Sequence, residues 1–251
     1  KQEATLAGLR EYAAECAILK VHGSETLDYV VDEGVQIYGG MGYSAEADME
    51  RAYRDARINR IFEGTNEINR MLTVDIILKR ALQGELDLLG PAQKVAEELM
   101  EIPDFDFDDS KPYAAERRTI QNFKKAVLLA AGAAAKTLTA SLAKEQEVLM
   151  NIADMAMETY MCESMLLRVE KMKNMDKDFS LAEKMMQTYL YDAADRVHKH
   201  GKDAINSFAT GDEQRGMLMG IKRFTKHEPV NVKENRQAIA QKMIAENKYC
   251  F

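Results

Sequence analysis

One carboxylate stands out by its neighbours. Glu63 lies in the run Arg60-Ile61-Phe62-Glu63-Gly64-Thr65-Asn66-Glu67-Ile68, between a bulky aromatic and a glycine, just before a stretch with helical spacing. Two kinds of chemistry fit it. A carboxylate near a helix N-terminus is favoured by the backbone dipole, and Thr65 or Asn66 can cap such a helix. The same carboxylate can act as a general base. Phe62 would then be an apolar wall that strengthens the base once substrate excludes water, and Gly64 would leave substrate room against the main chain. Spacing alone leans toward the helix-start charge.

A second group precedes it. Gln36 stands 27 residues before Glu63, one helical turn ahead of Gly39, Gly40 and Gly42 in Val35-Gln36-Ile37-Tyr38-Gly39-Gly40-Met41-Gly42-Tyr43. Glycines after a helix let backbone N–H groups approach a ligand, and such turns cradle phosphate oxygens. A bare helix C-cap explains the same residues and, in isolation, is the better reading. Arg51, Arg54, Arg57 and Arg60 recur every third residue among Glu46, Asp48, Glu50 and Asp55. They read as an ion-pair lattice holding an irregular loop rather than as a substrate anchor. Asp195-x-x-His198, with His200, has the look of a metal-ligand pair. The matching Glu-x-x-His partners of a bundle metal site are missing, so no metal is expected. Arg196, Lys199 and Lys202 around these histidines suit a solvated face.

The elements that must hold these groups read as helices throughout. The 251 residues include 4 prolines and no tryptophan, with 16 methionines and abundant alanine, and few breakers favour helix. Apolar spacing predicts a helix to Val21, punctuation at His22-Gly23, and a second helix from Ser24 to Gly39-Gly40. Residues 41–64 are expected to be largely irregular, with a short helix around 47–56. A third helix follows Thr65, its apolar positions being Ile68, Met71, Leu72 and Ile76. Residues 83–90 read as a linker. A helix at 91–101 and an acidic loop around Pro103 then lead to three long helices at 112–143, 145–173 and 180–208. The third of these opens with a capping box, Ser180 to Glu183. Thr210 and Asn231 are placed to cap two more, the last running from Val232 to Lys248. No period-2 strand pattern is visible. The fold class expected is all-α: an antiparallel helix bundle over 1–82 followed by a second helical bundle over 90–251.

Composition excludes several classes. The net charge of −7 with no basic stripe argues against a nucleic-acid partner. Three distant cysteines, Cys16, Cys162 and Cys250, read as free thiols in a reducing compartment. No signal peptide is visible. The most apolar run, residues 126–135, falls short of the ~20 residues that span a bilayer. In the methionine-rich stretch 149–173, core packing is the favoured use and a lipid- or partner-facing surface the alternative. The chain opens on Lys1 in sequence that already looks helical, which suggests a piece of a longer protein.

Taken together, three runs resemble the C-terminal helical domain of the acyl-CoA dehydrogenase flavoprotein family. They are Gln36-Ile37-Tyr38-Gly39-Gly40-Met41-Gly42-Tyr43, Arg54-Asp55-Ala56-Arg57-Ile58, and Ile61-Phe62-Glu63-Gly64-Thr65-Asn66-Glu67-Ile68, in the family's order and with its usual interval from glutamine to glutamate. The resemblance covers residues 1–82. It implies that Glu63 is the catalytic base that removes the α-proton of an acyl-CoA thioester while the β-hydride passes to FAD. It also implies that the Glu63 backbone N–H helps hold the thioester carbonyl, an oxyanion-hole arrangement. By the same resemblance Gln36, Gly39 and Gly40 contact the adenosine-diphosphate part of FAD, commonly across a subunit interface. Thr65 and Glu67 lie near FAD, and Gly64 lines the substrate site.

The chain departs from the family pattern in two ways. Asp75 stands where many members carry arginine, which puts any CoA contact there in doubt. The N-terminal helical domain, the β-domain and the start of the C-terminal domain are absent from this chain, so catalysis and flavin binding are expected of an intact parent. Residues 90–251 resemble, by position and helical pattern, the appended bundle of the very-long-chain branch, which serves dimer contacts and peripheral membrane association. The resemblance further implies an electron-transferring flavoprotein as acceptor, a homo-oligomer, and a bacterial cytoplasmic or mitochondrial matrix setting. A non-catalytic helical interaction module and a related acyl-CoA oxidase are the alternative readings.

Overall fold

The computed structural model describes residues 2–99, 101 and 110–251; most of the acidic loop expected around Pro103 lies outside them. The described residues form helices and turns and contain no strand. The chain divides into two compact units, Lys1–Leu86 and Asp87–Phe251.

In the first unit α1 (Gln2–Glu11) is followed by a long α2 (Ala13–Tyr38), a one-turn α3 (Gly40–Tyr43), α4 (Asp48–Arg57), a 3-10 turn (Ile58–Arg60) and α5 (Asn66–Leu82). The break expected at His22-Gly23 does not occur; α2 runs straight through it. A glycine in a helix interior costs only about 1 kcal/mol. Burial of Ala17, Ile18 and Val21 on one side of Gly23 and Ser24 on the other outweighs that cost. The segment expected to be irregular is instead mostly helical. Arg54 pairs with Glu50 at 2.7 Å, one turn back in α4, while Ala56 is buried. Arg51 pairs with Asp48 at 3.0 Å, but Arg60 leaves the local lattice and reaches Asp28 of α2 at 2.7 Å.

In the second unit α6 (Leu89–Glu98), α7 (Ala114–Leu138), a 3-10 stretch (Thr139–Lys144), α8 (Gln146–Asn174), α9 (Ser180–Phe208), α10 (Gly211–Phe224) and α11 (Val232–Glu246) follow. The ion pairs fix the direction of packing. Arg117 meets Glu170 and Lys124 meets Glu163, so ascending α7 descends α8. Arg196 to Glu158 and His200 to Asn151 give the same antiparallel relation between α8 and α9. The core between these three helices holds Ile120, Phe123, Met155, Val169, Met186 and Val197, all nearly solvent-free. Met155 and Met157 are core residues, whereas Met150, Met161, Met165 and Met172 are partly exposed. Glycines let α10 approach α7 and the end of α6 at Gly220, and α9 at Gly201. A Cβ on Gly220 would stand 2.7 Å from Leu99 Cδ2, and one on Gly201 would stand 2.9 Å from Ile221 Cδ1. By length and composition alone Ala114–Lys144 is apolar enough to cross a membrane, more than residues 126–135 suggested. Its α7 part packs on α6, α8, α9 and α10.

Two expected caps form differently. Ser180 is the first residue of α9, not its cap; the Asp178 carboxylate accepts the Ser180 N–H at 3.0 Å and its hydroxyl at 2.8 Å. Those two hydrogen bonds hold the Asp178 carboxyl below its ordinary range. Thr210 precedes α10 without a side-chain cap bond. Asn231 does cap α11, its Oδ1 accepting the Glu234 N–H at 3.3 Å.

Candidate active site

Glu63 sits on a left-handed turn. Its φ is +56° and that of Gly64 is +81°. Glycine adopts such a conformation freely, whereas a residue with a Cβ is disfavoured there by about 1–2 kcal/mol. The turn closes directly onto α5. Thr65 caps that helix by accepting the Ile68 N–H at 3.3 Å. Glu63, Phe62 and Gly64 are all exposed. Glu67 follows in the first turn. Its carboxyl lies below the usual range because its own backbone N–H and then the Thr65 hydroxyl donate to it.

The turn is held from below by polar side chains on α2. Lys20, Ser24 and Asp28 fall one helical turn apart. Lys20 Nζ donates to the Gly64 carbonyl at 2.6 Å and to Asn66 Oδ1 at 2.7 Å. Asn66, only 1 % exposed, donates to Ser24 Oγ at 2.9 Å and Glu25 Oε1 at 3.1 Å. From α5, Asn69 Nδ2 donates to the Gly64 carbonyl at 2.9 Å and the Thr65 carbonyl at 3.1 Å. Arg70 grips both oxygens of Glu25 at 2.7 and 2.9 Å. Burial pushes the Glu25 carboxyl up, but the Arg70 hydrogen bonds and charge, with help from Asn66 and Arg60, outweigh it and leave it below the ordinary value.

The glycine turn has a different character. Gly39 ends α2 with φ +59° and ψ −146°, a combination open essentially to glycine, and its N–H returns to the Gln36 carbonyl at 3.2 Å. Beside Gly39 and Gly40 an added Cβ would meet nothing within 4 Å, and the Gln36 side chain is exposed. Both glycines and the amide are thus open to a ligand. Gly42 is not: a Cβ there would stand 2.8 Å from Val35 O and from Tyr38 Cβ, so Gly42 serves the packing of α3 on α2. Gln36 lies 16 residues beyond Lys20, about 24 Å along the helix. Within one chain the glycine turn and the Glu63 turn are therefore far apart. Thr65, Glu67 and Gly64 cluster with Glu63; Gln36, Gly39 and Gly40 do not.

Sequence reading missed Lys20, Ser24, Glu25, Asn66, Asn69 and Arg70. The available signal was a polar stripe at helical spacing on both helices. The buried side of α5 is Asn66, Asn69, Thr73 and Val74, whereas Ile68 and Leu72, two of its apolar positions, are exposed. The histidines of α9 also depart from expectation. They are half-buried connectors: His198 Nδ1 lies 2.9 Å from Thr225 Oγ1, and His200 Nδ1 lies 2.8 Å from Asn151 Oδ1. Burial first, then the Lys202 charge, push His198 below its ordinary value. Asp75, at the position of the family departure, pairs with Lys79 at 2.6 Å. Among the described residues no group of His, Cys, Asp and Glu is arranged to hold a metal.

The unit is all-helical and displays a carboxylate on a left-handed turn at a helix start, and comparison with known proteins gives its class. Family models described as acyl-CoA dehydrogenase, C-terminal domain, match residues 3–78 and 122–223. The chain is 42% identical over 243 residues to a probable acyl-CoA dehydrogenase of Bacillus subtilis (strain 168), covering 96% of this chain and 41% of that protein. It is 48% identical over 80 residues to the very long-chain specific acyl-CoA dehydrogenase, mitochondrial, of Rattus norvegicus, covering 32% of this chain and 11% of that protein. The crystal structure of an acyl-CoA dehydrogenase complexed with FAD from Bacillus anthracis superposes with a TM-score of 0.92 at 42% identity, over 98% of this chain and 42% of that one. The chain belongs to the acyl-CoA dehydrogenase family. It spans about two fifths of the length of these Bacillus relatives.

Proposed function

We propose that this chain is the C-terminal part of a FAD-dependent acyl-CoA dehydrogenase that introduces an α,β double bond into acyl-CoA thioesters during fatty-acid oxidation. Residues 1–82 are its partial flavin and substrate domain and 90–251 its appended bundle. The observation that carries the reading is the exposed Glu63 carboxylate on a left-handed turn whose next carbonyl is pinned by Lys20 and Asn69. A backbone conformation disfavoured for glutamate persists only where surrounding contacts over-determine it, and such strain concentrates at functional positions.

In this reading the Glu63 carboxylate takes the α-proton. Its backbone N–H, with other donors, holds the thioester carbonyl, where negative charge develops. Gly64 gives the thioester clearance. FAD, when bound, supplies the acceptor for the β-hydride, so proton and hydride leave to separate partners and the balance closes. The open space at Gly39 and Gly40 and the exposed Gln36 amide fit the adenosine-diphosphate end of that cofactor, and Thr65 and Glu67 fit its neighbourhood at the base. The axial separation of about 24 Å supports assigning Gln36 and its glycines to a flavin that serves another copy of the chain, hence a homo-oligomer. Exposed apolar side chains in the first unit, among them Ile37 at 81%, Tyr43 at 85% and Ile68 at 60%, support further polypeptide layers in the parent. Electron-transferring flavoprotein is the proposed acceptor, in a bacterial cytoplasm or a mitochondrial matrix.

Glu63→Gln in the whole flavoenzyme tests the base. Flavin reduction by acyl-CoA in stopped flow is expected to slow at least ~10²-fold with acyl-CoA binding retained. A near-wild-type reduction rate overturns the assignment.

A further inference from the structure

We infer that Lys20 is a positioning residue for the dehydrogenation, acting through the Gly64 carbonyl to hold the Glu63 turn in its left-handed conformation. The inference rests on the proposal that Glu63 is the base. It goes beyond it by assigning a role to a residue in another helix, 43 positions upstream.

Three observations converge on this assignment. First, Glu63 and Gly64 are consecutive residues with positive φ, so the direction of the carboxylate depends on a backbone state that glutamate does not favour alone. Second, the Gly64 carbonyl, which closes that turn, receives two donors from two helices: Lys20 Nζ at 2.6 Å from α2 and Asn69 Nδ2 at 2.9 Å from α5. Of the two, Lys20 is a cation, and a charge-assisted hydrogen bond is roughly twice as strong as a neutral one. Third, the ammonium is itself fixed. Asn66 Oδ1 accepts from it at 2.7 Å, and the Asn66 amide is buried and held in turn by Ser24 and Glu25. The long lysine side chain is thereby reduced to a strut between α2 and the turn. Asn69 leaves little slack on the other side, since a Cβ on Gly64 would stand 3.0 Å from its Nδ2. Without Lys20 the Gly64 carbonyl keeps only the neutral donor, the peptide is free to rotate, and the carboxylate spends less time aimed at the α-carbon. A misplacement of about 1 Å can cost ~10² in rate.

The experiment compares Lys20→Met, Lys20→Arg, Glu63→Gln and the double variant Lys20→Met/Glu63→Gln in the whole flavoenzyme. FAD content and acyl-CoA affinity are measured beside the rate of flavin reduction. Lys20→Met is expected to lower that rate ~10- to 100-fold with acyl-CoA affinity within about twofold of wild type, and Lys20→Arg, which keeps a charged donor, to recover most of it. The double variant is expected to be no slower than Glu63→Gln alone, because Lys20 acts through Glu63. Should Lys20→Met fail to fold, Lys20→Gln, with a neutral donor of shorter reach, replaces it under the same criteria. A folded lysine variant with wild-type reduction rate, or a double variant slower than Glu63→Gln by the full single-variant factor, overturns the positioning role. A Glu63→Gln enzyme of normal rate instead overturns the base assignment beneath it.

Discussion

At Gly64 and Glu63 two adjacent residues share one backbone state but suit it unequally. Gly64→Ala forces a Cβ into φ +81° and against Asn69 Nδ2 at 3.0 Å. It is expected to destabilise the protein by about 1–2 kcal/mol, read as a lower urea midpoint at unchanged slope. Glu63→Gly should do the reverse: the urea midpoint rises by the equivalent of about 1 kcal/mol while dehydrogenation is lost. A stabilising substitution that abolishes activity is the signature of strain kept for function. The carboxylate at this junction is thus a poor choice for the fold alone. Spacing alone leaned toward a helix-start charge, and the family resemblance implied a base; the positive φ fits the proposed base, because a helix-start charge needs no left-handed backbone.

Between elements, α2 and α5 are joined near the Glu63 turn by a polar seam, Lys20, Ser24 and Glu25 against Asn66 and Arg70. Arg70 to Glu25 is its strongest link, and it sets a pH dependence. The folded carboxyl of Glu25 titrates below its unfolded value near 4.5. Between those two values the unfolded chain binds the extra proton. Its contribution to stability is therefore present above about pH 4.5 and is lost as pH falls below that value toward the folded one. Glu25→Gln is expected to lower stability by about 1 kcal/mol at pH 7, after discounting for partial exposure. It should also flatten the acid limb of stability against pH below about 4.5. Unfolding midpoints measured from pH 7 to pH 3 in both proteins check this; an equally steep acid limb in the variant assigns the dependence elsewhere. Helix spacing found α5 and its Thr65 cap, but not the face it buries. Periodicity detects apolar stripes, and here the inward stripe is Asn66, Asn69 and Thr73.

Over the whole molecule the two units are built on different principles. The second has a conventional core, and Phe123, fully buried in α7, is at its centre. Phe123→Ala is expected to cost about 3–5 kcal/mol, seen as a lower melting temperature with helical content retained at 25 °C. A shift of under 1 °C would mean that the ring is not a core anchor. The first unit turns much of its apolar surface outward, including Leu27, Val30, Ile37, Ile68 and Leu72. That pattern fits the proposed larger parent, and it explains why apolar spacing locates these helices without marking the side that faces this chain's own core.

By itself the sequence determined the helical class, the order and approximate limits of the helices, and, through its glycine and Glu63 runs, the family. These are properties of local spacing and residue type, and short-range sterics and hydrogen bonding are enough to specify them. Only the tertiary structure decided that α2 passes unbroken through Gly23, that Gly42 packs while Gly39 and Gly40 stay open, and that the glycine turn at the end of α2 lies far from the Glu63 turn before α5. It alone joined Lys20 to Gly64. Such outcomes depend on which distant side chains meet, and no window of sequence contains both partners.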